Sequence, residues 1–140
     1  MHIFITGIAG FLGSNLAEYY LKKNYKVSGC DNLVGGSLDN IDQNKINFFK
    51  ANCEDFEMMK KITKDVDILC HAAAYAHEGL SSFSPVLISN NNVPGSVSVF
   101  TAAIVNKVRR IVYCSSMARY GNIKIPFKEE LLAKASRKDL

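Results

Sequence analysis

Three glycines and one carboxylate carry the most chemistry in this chain. Gly7, Gly10 and Gly13 fall in the run TGIAGFLG, just after a short apolar stretch at 1–6, and Asp31 ends a second apolar stretch at 26–30. A glycine turn that opens a helix is a phosphate cradle. The first helical turn has unpaired N–H groups and partial positive charge, and a turn without Cβ atoms lets a pyrophosphate approach them. Gly7 is expected to turn the chain sharply out of a strand. Gly10 is expected to let the backbone meet the phosphates, and Gly13 to let the helix lie close on the sheet. Asp31 stands 18 residues after Gly13, near the roughly 20 at which an acid meets a dinucleotide's ribose hydroxyls. A carboxylate there accepts from a 2′-hydroxyl and repels a 2′-phosphate. The expected cofactor is therefore NAD rather than NADP.

The elements that must position these residues alternate along the chain. Strands are predicted at 2–6, 26–30, 46–51, 66–71 and 110–115, and helices at 11–23, 54–64 and 84–107. A loop or single turn of helix is expected at 35–43. In the first helix Leu12, Leu16, Tyr19 and Tyr20 stand at i, i+4, i+7 and i+8, an amphipathic stripe. Lys22, Lys23 and Asn24 suit its C-terminus. The runs at 66–70 and 111–114 are nearly continuous and apolar, as parallel strands buried on both faces require. The expected fold is α/β: a Rossmann-type doubly wound parallel sheet of about five strands in the order 3-2-1-4-5. Residues 1–121 are expected to form an incomplete NAD-binding Rossmann domain and 122–140 an irregular basic tail.

Ligands of such sheets sit beyond the carboxyl ends of the strands. Those ends hold Gly7, Asp31, Asn52, His71 with Ala72, Ala73 and Ala74, and Ser115 with Ser116. Small side chains at 72–74 leave room for a ring, although turn packing asks for alanine equally well. Ser115 and Ser116 put two hydroxyls where cofactor and substrate would meet, although capping also accounts for serine. His71, His77 and Tyr120 are read as structural or surface residues. Asn90, Asn91 and Asn92 fall inside a predicted helix, where asparagine is a poor fit, so a hydrogen-bonding role is expected for at least one of them.

The 140 residues are 48% hydrophobic and 21% charged, the make-up of one ordinary globular domain. The net charge of +4 is scattered apart from Lys60, Lys61 and the tail, so nucleic-acid binding is not expected. No apolar stretch approaches the roughly 20 residues of a membrane span. The N-terminus does not read as a signal peptide. The four cysteines, Cys30, Cys53, Cys70 and Cys114, form no CxxC pair and no metal-ligand spacing. They are expected to be reduced and mostly buried, in a cytoplasm.

Taken together, TGIAGFLGSNL, DNLVGGSLDN, HAAA, NNVPGS and SSMARYG resemble the extended short-chain dehydrogenase/reductases. More narrowly, they resemble the NAD-dependent sugar-nucleotide epimerases and dehydratases of the UDP-glucose 4-epimerase type. The resemblance runs from residue 1 to about residue 130. It implies that Gly7, Gly10, Phe11, Leu12 and Gly13 line a pyrophosphate, and that Asp31 and Asn32 hold the adenosine ribose. Asn52 and Cys53 would border the adenine, with Asn52 standing where the family usually has Asp. Ala72, Ala73, Ala74 and Cys114 would line the cofactor cleft, and Asn92 would bond the protein near the nicotinamide half. Ser116 matches the serine that hydrogen-bonds the reacting sugar hydroxyl. The implied substrate is a nucleotide-sugar, most simply a UDP-sugar. The implied homodimer contact is the helix at 84–107.

The family's base is a tyrosine in a Tyr-x-x-x-Lys motif, which family spacing puts past Leu140. Tyr19 and Lys23 share that spacing, but on the first helix and far from the serines. The expectation is therefore a truncated, catalytically incomplete form of such an enzyme. The alternatives are a non-catalytic dinucleotide-binding module or a self-associating fragment.

Overall fold

A computed structural model of the chain describes residues 1–76, 78–116, 120 and 126–128. Strand β1 (His2–Thr6) enters helix α1 (Phe11–Lys22) through the glycine turn, and β2 (Lys26–Asp31) follows. After a 3-10 turn (Leu38–Asn40) come β3 (Ile46–Lys50), α2 (Phe56–Ile62), β4 (Ile68–His71), α3 (Glu78–Phe83), α4 (Pro85–Val105) and β5 (Arg110–Tyr113). All five strands pair in parallel, in the order β3-β2-β1-β4-β5. This is the doubly wound order expected from the alternation of strands and helices. Helix α3 was not expected. Its six residues, EGLSSF, are too few to show a helical period. Of the tail expected at 122–140, only 126–128 fall among the described residues.

Two apolar layers sandwich the sheet, because successive strand residues face opposite sides. Ile3, Ile5, Val27 and Cys70 pack on the side of α1 with Ala17. Phe4, Leu69 and Cys30 pack on the other side against Met59 and Ile62 of α2 and Val99, Ala102 and Ala103 of α4. Phe4 pairs with Leu69, and Thr6 pairs with His71 two positions on. Thr6 and His71 therefore lie on the α4 side.

The stripe on α1 is placed differently from the sequence expectation. Gly13 and Ala17 are its buried residues, with Leu16, Tyr20 and Leu21 packed beside the core. Leu12 and Tyr19 are 47% and 54% exposed. Two small residues make the contact, so the helix sits close to the sheet and the larger side chains flank it.

Candidate functional site

The glycine turn is held to the end of β2 by its own amides. Gly7 N and Ile8 N both donate to the Cys30 carbonyl, at 2.8 and 3.2 Å. Gly7 has φ +68°, and a Cβ there would lie 2.9 Å from the Cα of Ala73, a position that other residues reach only with strain. A Cβ on Gly13 would lie 2.1 Å from the Gly7 carbonyl oxygen, so the strand exit and the helix touch backbone to backbone. Gly10 is the N-cap of α1, with no side-chain cap bond and no acidic residue in the first turn. The first intrahelical bond runs from Ser14 N to Gly10 O. The amides of Phe11, Leu12 and Gly13 therefore lack helical acceptors and are free to bind an external anion.

Asp31 ends β2 almost fully buried, at 9% exposure. Its Oδ2 accepts from Ala9 N at 3.1 Å and its Oδ1 from Leu33 N at 2.8 Å. These bonds leave lone pairs on both oxygens. Asn32 Oδ1 accepts from Val34 N at 3.1 Å. The Ala9 carbonyl accepts from Ser37 N at 3.1 Å and Asn40 Nδ2 at 2.8 Å, so the loop after β2 is clamped onto the glycine turn.

The opposite wall follows β4. Ala72 N and Ala73 N both donate to Thr6 Oγ1, at 3.2 and 3.1 Å. The Asn92 side chain grips the next backbone segment. Its Oδ1 accepts from Tyr75 N at 2.9 Å, and its Nδ2 donates to Tyr75 O at 3.1 Å. His71 is buried between Thr6 and Ser96, and burial lowers its pKa to about 4. It is a neutral structural residue, as expected. His77 lies outside the described residues.

Between these walls lies a cleft of about 900 Å³, within the usual size of a small-molecule site. It brings together Gly7, Gly10, Phe11, Leu12, Gly13, Asp31, Asn32, Cys53, Ala72, Ala73 and Ala74. Phe11 and Leu12 are 89% and 47% exposed at its mouth, apolar surface that a ligand would cover.

Four of the predicted site residues do not line the cleft. Asn52 is exposed between two lining residues, Ala51 and Cys53, and its carbonyl accepts from Asp55 N at 3.2 Å. Asn92 lies one layer behind the wall, where its side chain is taken up by Tyr75. Cys114 and Ser116 follow β5 and are exposed, and Cys114 N donates to His71 O at 3.1 Å.

Several lining residues were missed from the sequence. Cys30, Val34, Gly35, Ala51, Tyr75 and Ala76 line the cleft, and the strand-end rule could have found them, since they flank the ends of β2, β3 and β4. Asn91, Gly79 and Phe83 also line it; the last two belong to α3, which left no periodic signal. Cys30 and Cys53 meet thiol to thiol, and that hydrogen bond together with burial pushes the Cys30 thiol up. Tyr120 and Lys124 also stand at Tyr-x-x-x-Lys spacing. Tyr120 follows Ser116 by only four residues, and its ring stacks on Phe127 at 4.8 Å, a packing contact. Lys124 lies outside the described residues.

A family model for the NAD dependent epimerase/dehydratase family matches residues 3–138. The chain is 31% identical over 139 residues to a probable UDP-arabinose 4-epimerase of Arabidopsis thaliana, covering 91% of this chain and 34% of the relative. It is 34% identical over 115 residues to a putative UDP-glucose 4-epimerase of Methanocaldococcus jannaschii, covering 81% and 37%. A crystal structure of the Thermus thermophilus UDP-glucose 4-epimerase complex with NAD superimposes with a TM-score of 0.87 at 27% identity, covering 96% of this chain and 44% of that one. The chain thus spans about a third of the length of these curated relatives.

Proposed function

The chain belongs to the NAD dependent epimerase/dehydratase family, and we propose that it forms the NAD-binding part of a UDP-sugar 4-epimerase. One observation carries this reading: the uncapped N-terminus of α1, the Asp31 carboxylate and the alanine wall converge on a single cleft. The residues fit the cofactor. The glycine turn is a surface that a Cβ would fill, the first-turn amides suit a pyrophosphate, and Asp31 is held with acceptor capacity to spare.

Bound NAD supplies an acceptor and donor of hydride. The protein's own groups bind and orient. The Phe11, Leu12 and Gly13 amides would hold the pyrophosphate, with Gly7 and Gly10 giving access. Asp31, with Asn32 beside it, accepts from the adenosine ribose hydroxyls. Cys53 would border the adenine, with Asn52 outside the cleft beside it. Ala72, Ala73 and Ala74 would leave room for a ring, with Asn92 bracing that wall through Tyr75. Ser116, at the carboxyl end of the sheet, would hydrogen-bond the reacting sugar hydroxyl. Cytoplasm suits the free thiols and the nucleotide substrate. No helix among the described residues is long and apolar enough to cross a membrane.

Titration calorimetry with NAD and NADP tests the reading. NAD should bind, and more tightly than NADP. A chain that is folded by circular dichroism yet binds neither nucleotide overturns it.

A second reading, self-association, is favoured by α4. Val86, Val93, Val97 and Ile104 stand on one side of that helix and are 59–72% exposed. Such a contact is compatible with cofactor binding, since these side chains do not line the cleft.

A further inference from the structure

The buried polar atoms behind the cleft form one chain of hydrogen bonds whose direction is fixed by counting donors. Thr6 Oγ1 accepts from Ala72 N and Ala73 N, which uses both of its lone pairs. Its remaining contacts are His71 Nδ1 at 2.7 Å and the Cys53 thiol. With both lone pairs used the oxygen cannot accept from the ring, so the hydroxyl proton goes to His71 Nδ1, and the thiol lies against the same hydroxyl. His71 Nδ1 is therefore the acceptor, and the ring proton sits on Nε2. That proton is donated to Ser96 Oγ at 2.9 Å, and the Ser96 hydroxyl is donated onward to the Asn92 carbonyl at 2.6 Å. From the Thr6 hydroxyl onward the bonds point the same way, from β1 through β4 to α4, and no buried side-chain polar atom among the described residues is left unpaired.

The α4 end of this chain sits on one stripe of the helix. Asn92, Ser96 and Phe100 are spaced i, i+4, i+8 and so share one helix face. Each meets the segment at 71–75. Phe100 packs edge-on to the His71 ring at 5.3 Å, Ser96 bonds it, and Asn92 grips the Tyr75 backbone on both sides. Tyr113 stacks on the same ring at 5.8 Å and meets Phe100 edge-on at 5.5 Å. A helix seated on a buried ring at Ser96 has its rotation about its own axis set. That rotation decides whether the Asn92 amide faces Tyr75.

We propose that His71 is a positioning residue, held as the Nε2–H tautomer between Thr6 and Ser96 so that α4 presents Asn92 to Tyr75 and fixes the cleft wall at 72–76. The influence on nucleotide binding rests on the NAD reading above; the wiring itself does not.

The experiment combines a ligand-free readout with a binding readout. In the ligand-free chain, ¹⁵N imidazole spectra at neutral pH should show His71 with a bare, pyridine-like Nδ1 and a protonated Nε2. A protonated Nδ1 overturns the wiring. Ser96→Ala, which removes the Nε2–H acceptor, should speed hydrogen exchange of the Tyr75 amide by about fivefold, the worth of one neutral hydrogen bond. It should weaken NAD binding by a similar factor. Ser96→Thr keeps the hydroxyl and should restore both. Unchanged Tyr75 exchange in Ser96→Ala, or loss in Ser96→Thr equal to that in Ser96→Ala, overturns the positioning role. Failure of the parent chain to bind NAD would count against the cofactor reading alone, since the spectrum and the Tyr75 exchange decide the relay without it.

Discussion

The Asp31 carboxylate and the Ala9 amide, 22 positions apart in sequence, are joined by a 3.1 Å hydrogen bond that ties the end of β2 to the glycine turn. The same carboxylate holds Leu33 N at 2.8 Å, so one side chain organises both loops at that end of the cleft. Asp31→Ala should therefore do two things. It strips two amides of their acceptor, at about 1–3 kcal/mol for each one left unsatisfied. It also removes the acceptor for the ribose hydroxyls, so NAD affinity should fall at least about tenfold, the size of a lost charge-assisted bond. Urea unfolding and calorimetric titration separate the two effects. Asp31→Asn, which keeps one acceptor oxygen and removes the charge, should narrow the preference for NAD over NADP. An unchanged NAD/NADP ratio in that variant would remove Asp31 as the selector.

The glycines should separate folding from binding. A Cβ on Gly13 would lie 2.1 Å from the Gly7 carbonyl oxygen, backbone that cannot swing aside, whereas on Gly10 its nearest neighbour is the same oxygen at 3.3 Å. Gly13→Ala should cost at least about 2 kcal/mol by forcing α1 off the sheet. Gly10→Ala should cost less than about 1 kcal/mol and act mainly on nucleotide affinity, because its methyl would intrude where phosphates approach. Equal losses of stability in the two variants would contradict this division of labour.

The parts of the fold legible in the sequence were those with a strong local signal. Buried parallel strands such as 68–71 announce themselves as apolar runs, and the glycine turn with Asp31 as a spacing. Thr6 and Ser96 gave no such signal. A threonine at the end of a strand and a serine inside a helix are ordinary until the register pairs Thr6 with His71 and packing brings α4 across them. Asn92 was flagged as a misfit in a helix, and its bonds to Tyr75 supply the reason. Asn52 was assigned by resemblance, and its side chain lies outside the cleft where the chain leaves β3 and turns into α2, with the Asn52 carbonyl accepting from Asp55 N.

Acid should destabilise the fold through His71. Burial lowers its folded-state pKa from 6.5 to about 4. Above about pH 6.5 the ring is neutral in both folded and unfolded chains, so it contributes no pH dependence. Between about pH 6.5 and 4 the unfolded chain takes up a proton that the folded chain refuses, and stability falls as pH falls. Below about pH 4 both states carry the proton and the fall ends, after a total of about 3 kcal/mol. Denaturant unfolding across this window measures the slope. His71→Gln, which cannot titrate, should flatten it relative to the parent chain; an identical slope would place the acid sensitivity elsewhere.

The exposed stripe on α4 should drive self-association. Val86, Val93, Val97 and Ile104 recur at seven- and four-residue steps along a helix of 21 residues, about 30 Å of continuous contact length. Apolar patches of this extent on a soluble domain usually mark an interface. A symmetric pairing would place the same stripe of each copy against the other. Sedimentation velocity should show a dimer that dissociates on dilution. Introducing like charges on the stripe with Val97→Glu and Ile104→Glu should leave a monomer that binds NAD as the parent does, because these side chains do not line the cleft. A parent chain that stays monomeric at high concentration would rule out α4 as a contact between copies.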